Sequence, residues 1–475
     1  MDGQIVLRRR RTLTRRAALA AAGTGLALVG LSTRRLVAWE PGAARAAQGD
    51  ALSEPPVRLA VDGLLETTLE AQSDPDATVG GMTYEGVLPG PVLRLRPGDR
   101  LRVNLINNLG GAITNLHVHG LHVSPQGNGD NVFVHVENGQ TFAYDYLLPE
   151  DHQAGLYWYH PHHHGNTMQQ TGAGLAGAII VEGAFDDLPG IRDLPERLLC
   201  LQGPFVGPTG LQYLVNGQEH PTIALRPGET QRWRLLNASA NAFFNLQVDG
   251  IELHQIALDG NPLPSIWTVD TLVLGPGERA EVLVQGGLAG EYRFRSLAWG
   301  ERGQAQPEFL LATVVTAGDA VSPAALPASI MPLAPPLVDL SHARIDRRRV
   351  LTFTEATHVP YFGFDNRGFD PNRVDQIVRL GATEEWVVRN ASDDWHPFHI
   401  HVNDFQVMTI NGQPQAPHYK DTIPVPPNGS VVLRIRFLDF PGKFVYHCHI
   451  LAHEDAGMMG VVEVVAEEPA ATPVP

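Results

Sequence analysis

The feature that most restricts how this 475-residue chain can fold is a unit that occurs three times. The first copy runs Leu95-Arg96-Pro97-Gly98-Asp99 to Asn108 and on to Asn115-Leu116-His117-Val118-His119-Gly120. The second runs Leu225-Arg226-Pro227-Gly228-Glu229 to Asn237 and on to Asn245-Leu246-Gln247-Val248-Asp249-Gly250, and the third Arg379-Leu380-Gly381 to Asn390 and on to His396-Pro397-Phe398-His399-Ile400-His401. A frame that recurs at domain-sized spacing signals one supersecondary unit used repeatedly. Counted from Asn108, Asn237 and Asn390, the ninth and eleventh positions are His117 and His119, Leu246 and Val248, and His399 and His401. The middle copy keeps the frame without the histidines, so the frame belongs to the fold and the histidines to chemistry.

Between these landmarks lie short β-branched runs cut by Pro-Gly, Asn-Gly and Asp-Gly turns, with no long stretch of 3.6-residue period. The 48 glycines and 37 prolines suit that turn-rich pattern. The chain reads as all-β, with three sandwich or barrel domains near 55–185, 190–317 and 340–466. Residues 186–198 form the first linker, and the Pro- and Ala-rich stretch 321–337 the second.

Of 20 histidines, nine lie between His117 and His164 and seven between His396 and His453. Scattered structural histidines would not segregate in this way, which points to one site shared by the first and third domains. A single His-x-His is weak, because alternate side chains of a strand share a face whether they clip a metal or only meet water. Four such elements together are not weak: His117-Val118-His119, His160-Pro161-His162, His396-Pro397-Phe398-His399-Ile400-His401, and His447-Cys448-His449 followed by His453 and Met458. In the last, alternation puts His447 and His449 on one face and Cys448 on the other, so one strand joins two metal environments. His453 and Met458 follow the cysteine closely enough to return to the same ion, and His396 completes the set. Two imidazoles, a thiolate and a weak axial thioether describe a blue-copper electron-transfer centre. Ten imidazoles, one thiolate and one thioether exceed what a structural zinc site uses. Only Cys200 remains besides Cys448, and its leucine neighbours mark it as a buried strand residue.

In these four motifs and their order the sequence resembles the three-domain multicopper oxidases, and among them the bacterial laccase-like enzymes, over nearly all of the chain beyond its N-terminus. The resemblance implies three cupredoxin-like Greek-key domains and four copper ions. It implies a type 1 copper held by His396, Cys448, His453 and Met458, a type 2 copper held by His117 and His399, and a type 3 pair held by His119, His160, His162, His401, His447 and His449. It implies one-electron oxidation of a reducing small molecule, coupled to four-electron reduction of dioxygen to water. Asp130 and Glu454 resemble family acids that deliver protons. Each has a plainer reading, Asp130 as a turn cap and Glu454 as a support for a ligand imidazole. Phenols and aromatic amines are the expected substrates. The alternative is a metallo-oxidase of Cu(I), Fe(II) or Mn(II) serving metal tolerance, which the low count of seven methionines disfavours. A structural envelope protein on the same fold is a third reading, disfavoured by the complete ligand set.

The remaining candidates carry less. His163 and His164 extend the second motif, His122 and His135 flank the first, and Asp393, Asp394 and Trp395 precede His396, all positions where solvated or hydrogen-bonded roles suffice. Asn237-Ala238-Ser239 and Asn390-Ala391-Ser392 match glycosylation acceptors by pattern only. Positions 1–46 hold nine arginines, with Arg15-Arg16 ahead of an uncharged, glycine-containing apolar run from Ala17 to Leu31 that is too short for a permanent span. They resemble a twin-arginine signal peptide cleaved near Ala44-Arg45-Ala46. The expectation is export by the Tat translocase to the periplasm or the extracellular space, without stable membrane association. Beyond position 46 the chain has 26 basic against 49 acidic side chains, a balance that repels nucleic acid. A monomer is expected.

Overall fold

The computed structural model describes residues 49–466 apart from 75–79, 208–209, 301–303, 328, 331–336 and 357–360. The expected signal segment lies outside the described residues. Strand accounts for 51% of the described residues and helix for 3%, far from the roughly 20–25% strand of an average domain. The all-β, cupredoxin-type expectation holds.

Strand pairing repeats the same arrangement in three successive sandwiches. In each, a long strand lies parallel to the one ending near the repeat asparagine: Leu64–Ser73 on Arg100–Asn108, Glu196–Gly207 on Thr230–Asn237, and Arg347–Glu355 on Thr383–Asn390. On its other side that central strand takes an antiparallel neighbour, Thr141–Leu147, Arg279–Gln285 and Ser430–Arg436 respectively. A second sheet closes each core. The period-2 alternation of Leu101, Val103 and Leu105 puts one face of their strand inside and leaves the other toward solvent.

The middle sandwich departs from that alternation. Every residue of Thr230–Asn237 is buried, because the face that would meet water is covered instead. Arg232 and Arg234 on that face are neutralised by Asp186, Glu196 and Glu281. Leu236 packs with Cys200, Leu198, Val92, Leu156 and Trp158 in a core shared between the first and middle sandwiches. Burial pushes the Cys200 thiol up, and it serves there as a small apolar side chain.

The structure corrects the frame of the first repeat by one residue. Asn237 and Asn390 each donate through Nδ2 to two backbone carbonyls and accept a backbone N–H two residues on. In the first copy it is Asn107 that does this, bonding to Ala112 O, Val136 O and Leu109 N, while Asn108 is exposed. The first copy therefore has one residue more before its histidines, taken up in the turn where Gly110 and Gly111 adopt positive φ. With both side chains buried and their amides committed, Asn237 and Asn390 are closed to glycosylation.

Candidate metal centre

The four histidine motifs meet because the strands that carry them pair. His117–His119 runs antiparallel to Gly155–His160, with His117 opposite His160. In the third sandwich His396–Ile400 runs antiparallel to Gly442–Cys448, with His399 opposite His447 and Phe398 opposite Cys448. The two His-x-His strands then interleave across the interface between the sandwiches. The His117 ring stacks on His401 and the His119 ring on His399, both at 3.8 Å between centroids.

Eight imidazoles converge in this way, all at most 1% exposed: His117, His119, His160, His162, His399, His401, His447 and His449. His162 Nε2 lies 3.1 Å and His401 Nε2 3.3 Å from His447 Nε2, and His449 Nε2 lies 3.2 Å from His119 Nδ1. Ligand atoms at about 2.0 Å around one tetrahedral ion sit roughly this far apart. His117 Nε2, His160 Nε2 and His399 Nε2 are buried with no hydrogen-bond partner, an arrangement that a protein interior avoids unless something else satisfies them. Burial, reinforced by neighbouring imidazoles, holds His117, His119, His160, His401 and His447 well below the usual histidine range, and burial holds His162 at about 3. Neutral imidazoles with lone pairs turned inward are metal ligands by constitution.

Three buried carboxylates lie beside outward nitrogens of six of these rings, Asp130 hydrogen-bonded to His117 and Asp421 to His119, with Glu454 close to two rings without a hydrogen bond. Asp130 lies 2.9 Å from His117 Nδ1 and 3.6 Å from His401 Nδ1. Glu454 lies 3.2 Å from His447 Nδ1 and 3.5 Å from His162 Nδ1. Asp421 lies 3.0 Å from His119 Nε2 and 3.5 Å from His399 Nδ1, whose N–H is also 2.9 Å from the Asp421 carbonyl. Because its Nε2 turns to Asp421, His119 alone among the eight presents Nδ1 to a neighbouring ligand nitrogen. The environments of the acids differ. Burial pushes Asp130 up to about 8, outweighing its bond from Val118 N–H, and burial raises Glu454 well above the carboxylate range. Burial would also raise Asp421, but the Arg279 guanidinium holds it well below the usual value. Sequence reasoning found Asp130 and Glu454 and missed Asp421, which stands in Tyr419-Lys420-Asp421-Thr422 without a histidine or a spacing to mark it.

A second group begins one residue along the same strand, at Cys448. Cys448 Sγ is 3.5 Å from His396 Nδ1 and 3.8 Å from His453 Nδ1, and the two nitrogens are 3.2 Å apart. Met458 is fully buried in the core that contains Cys448, and its carbonyl accepts the Cys448 N–H. Burial raises the Cys448 thiol far above its ordinary value and lowers His453 to about 3. His396 Nε2 is held by Ser392 Oγ at 2.8 Å and approached by Glu355 at 3.2 Å. His453 is only half-buried, and Phe362 lies flat on it at 4.3 Å. The helix Leu451–Asp455 that carries His453 and Glu454 is fastened to the first sandwich, where backbone N–H groups of Gly165 and Met168 donate to Asp455.

The other candidates stay out of both groups. His163 pairs with His135 at 3.1 Å, and His164 packs on Phe369. Asp393 accepts from Asn428, Asp394 gives its carbonyl to Asn390, and the Trp395 backbone bonds to Gln304.

Comparison with known proteins agrees with this geometry. Three family models described as multicopper oxidase match residues 67–185, 158–313 and 342–468. A multicopper oxidase of Staphylococcus haemolyticus is 29% identical over 80% of this chain and 83% of its own length, and a laccase of Bacillus subtilis is 26% identical over 80% and 89%. Among solved structures, a Campylobacter jejuni multicopper oxidase described as a metallo-oxidase superposes with a TM-score of 0.76 at 28% identity, covering 88% of this chain and 96% of that one. A laccase from Pediococcus acidilactici gives 0.75 at 26% identity, covering 88% and 94%. The chain belongs to the multicopper oxidases. It is an oxidoreductase of the oxygen-using kind, and its cofactor is the family's set of four coppers of types 1, 2 and 3.

Proposed function

We propose that this protein is a laccase-like oxidase that takes single electrons from phenols and aromatic amines and passes them, four at a time, to dioxygen, which leaves as water. The observation that carries this reading is the position of Cys448 between His447 and His449, because it joins a thiolate site to an eight-imidazole site through one stretch of backbone. In this assignment His396, Cys448, His453 and Met458 hold the type 1 copper and His117 and His399 the type 2 copper. One type 3 copper falls to His119, His160 and His449, and the other to His162, His401 and His447. The bound coppers supply one-electron redox steps and the place where oxygen is reduced.

The rest is supplied by the chain. Half-buried His453 is the ligand nearest solvent, which makes its edge the entry for electrons. Trp158, stacked on His160 at 4.1 Å and wholly buried, helps exclude water from the inner site. Asp130 and Glu454, raised by burial, can carry protons at neutral pH beside His117 and His447, where reduction of oxygen consumes them.

A second reading, oxidation of Cu(I), Fe(II) or Mn(II), is favoured by the net charge of −16 and by the likeness to a structure described as a metallo-oxidase. Steady-state rates on a dimethoxyphenol beside Cu(I) and Mn(II) separate the two. Turnover of metals alone would overturn the organic-substrate reading.

The twin-arginine pattern of residues 1–46 supports Tat-dependent export to the periplasm or beyond. Replacing Arg15 and Arg16 with lysine should leave the protein inside the cell. Unchanged export of that variant would refute this route.

A further inference from the structure

The middle sandwich supplies no histidine to either group, yet a turn of it lies against the inner one. Its strand Arg279–Gln285 starts at the position that strand pairing equates across the three repeats. Ile106, Leu236 and Arg389, each preceding a repeat asparagine, face Thr141, Arg279 and Ser430. Thr141 is exposed and Ser430 half-buried, whereas Arg279 is fully buried. A buried guanidinium is costly unless every arm is matched.

Here the arms are matched, and the partners come from all three sandwiches. Nη1 and Nη2 donate to the two oxygens of Asp421 at 2.8 and 2.5 Å, the two-pronged geometry that fixes a carboxylate in orientation as well as position. Nε donates to Leu156 O of the first sandwich at 3.1 Å, and Nη1 also to Gly277 O at 3.2 Å. Asp259, also of the middle sandwich, takes Arg279 N–H on one oxygen and Thr422 N–H on the other, and Lys420 bonds to Asp259 and Glu278. The backbone is cleared to let the pieces meet. A Cβ on Gly120, the glycine after His119, would overlap both Arg279 and Asp421, and one on Gly277 would sit 2.8 Å from the His449 ring.

We propose that Arg279 is a positioning residue for the inner copper site: through the Arg279–Asp421 fork the middle sandwich fixes His119 and His399, and the copper held by His117 and His399 depends on it most. The inference rests on the copper assignment above. His119 shares its ion with two other imidazoles, which can keep that copper when one ring loosens. The type 2 copper has only two protein ligands in this assignment, and His399 is one of them.

The test loads copper without oxygen into the full-length mature enzyme and into Arg279→Gln, Arg279→Lys and Asp421→Asn. Copper per chain and the type 1 and type 2 paramagnetic signals are then measured. Arg279→Gln should keep the blue band and the type 1 signal but lose the type 2 signal, with affinity there about 10- to 100-fold weaker. Asp421→Asn should do the same, and Arg279→Lys, which keeps the charge without the fork, should fall between. A full type 2 signal at wild-type affinity in Arg279→Gln overturns the proposal. If that variant does not fold, the same result in Asp421→Asn overturns it. A wild type without any type 2 signal overturns the copper assignment and the proposal with it, which distinguishes the two failures.

Discussion

Gly120 and Arg279 are packed so closely that residue 120 has no room for a side chain. A Cβ there would lie 2.5 Å from Asp421 Oδ2 and closer still to Arg279 Nη2, on a backbone at φ +85°. Gly120→Ala must therefore push the guanidinium off its carboxylate and strain the left-handed backbone. Overpacking costs about 1–3 kcal/mol and the backbone about 1–2 kcal/mol. Urea denaturation should show a loss of about 2–5 kcal/mol, and a stability equal to wild type would show that this junction can relax.

Cys448 has to lose a proton before it can bind copper, and burial makes that harder by raising the thiol. Loading of the metal-free protein at this site should therefore release a proton and weaken as pH falls. Cys448→Ser should remove the blue colour and about one copper per chain, leaving the eight-histidine site loaded. Absorption and copper analysis on the same sample read both effects. Oxidase turnover retained by this variant would refute electron entry through Cys448.

How much of this was legible in the sequence depended on whether a residue's role repeats or has a spacing. His-x-His and His-Cys-His declare themselves through strand alternation, and the loss of histidines at Leu246 and Val248 separates frame from chemistry. Asn107 was misread as Asn108 because two asparagines adjoin and only hydrogen bonding tells them apart. Asp421 and Arg279 could not be found, since their meeting is set by how three sandwiches pack and their separation of 142 residues carries no period. Nor does spacing say which nitrogen of His119 turns inward, because that follows from Asp421 taking the other.

Asp130 sits against His117 and His401 with its carboxyl raised to about 8, which suits a proton donor more than a ligand. Asp130→Asn keeps the size and an acceptor for His117 Nδ1 but cannot exchange a proton. Copper content and the rate at which substrate bleaches the blue band should be unchanged, while return of the colour in air should slow about 100-fold. Loss of copper from this variant would make Asp130 a support for His117 and nothing more.

His122 fastens the first sandwich to the third with both ring nitrogens. Nδ1 is 2.6 Å from Val402 O and Nε2 2.8 Å from Asp439 Oδ1, so both nitrogens donate and the ring is an imidazolium. Burial opposes that charge, but Asp439, Val402 O and Asp404 outweigh it, and the histidine is raised above 6.5. Asp439 in turn is lowered: burial would raise it, and His122 prevails. The histidine's contribution to stability is complete below about pH 6.5 and is lost as pH climbs through its raised folded value. The aspartate's is present above about pH 4 and is lost as pH falls through its lowered one. The stability difference between the metal-free protein and Asp439→Asn should therefore peak between about pH 4 and 6.5 and shrink toward pH 9. With Asp439 half exposed, the effect stays small and is screened by salt. Urea unfolding of both proteins at pH 5.5, 7 and 8.5 and at low ionic strength reads it, and a difference that does not vary with pH would mean His122 is neutral in the folded chain.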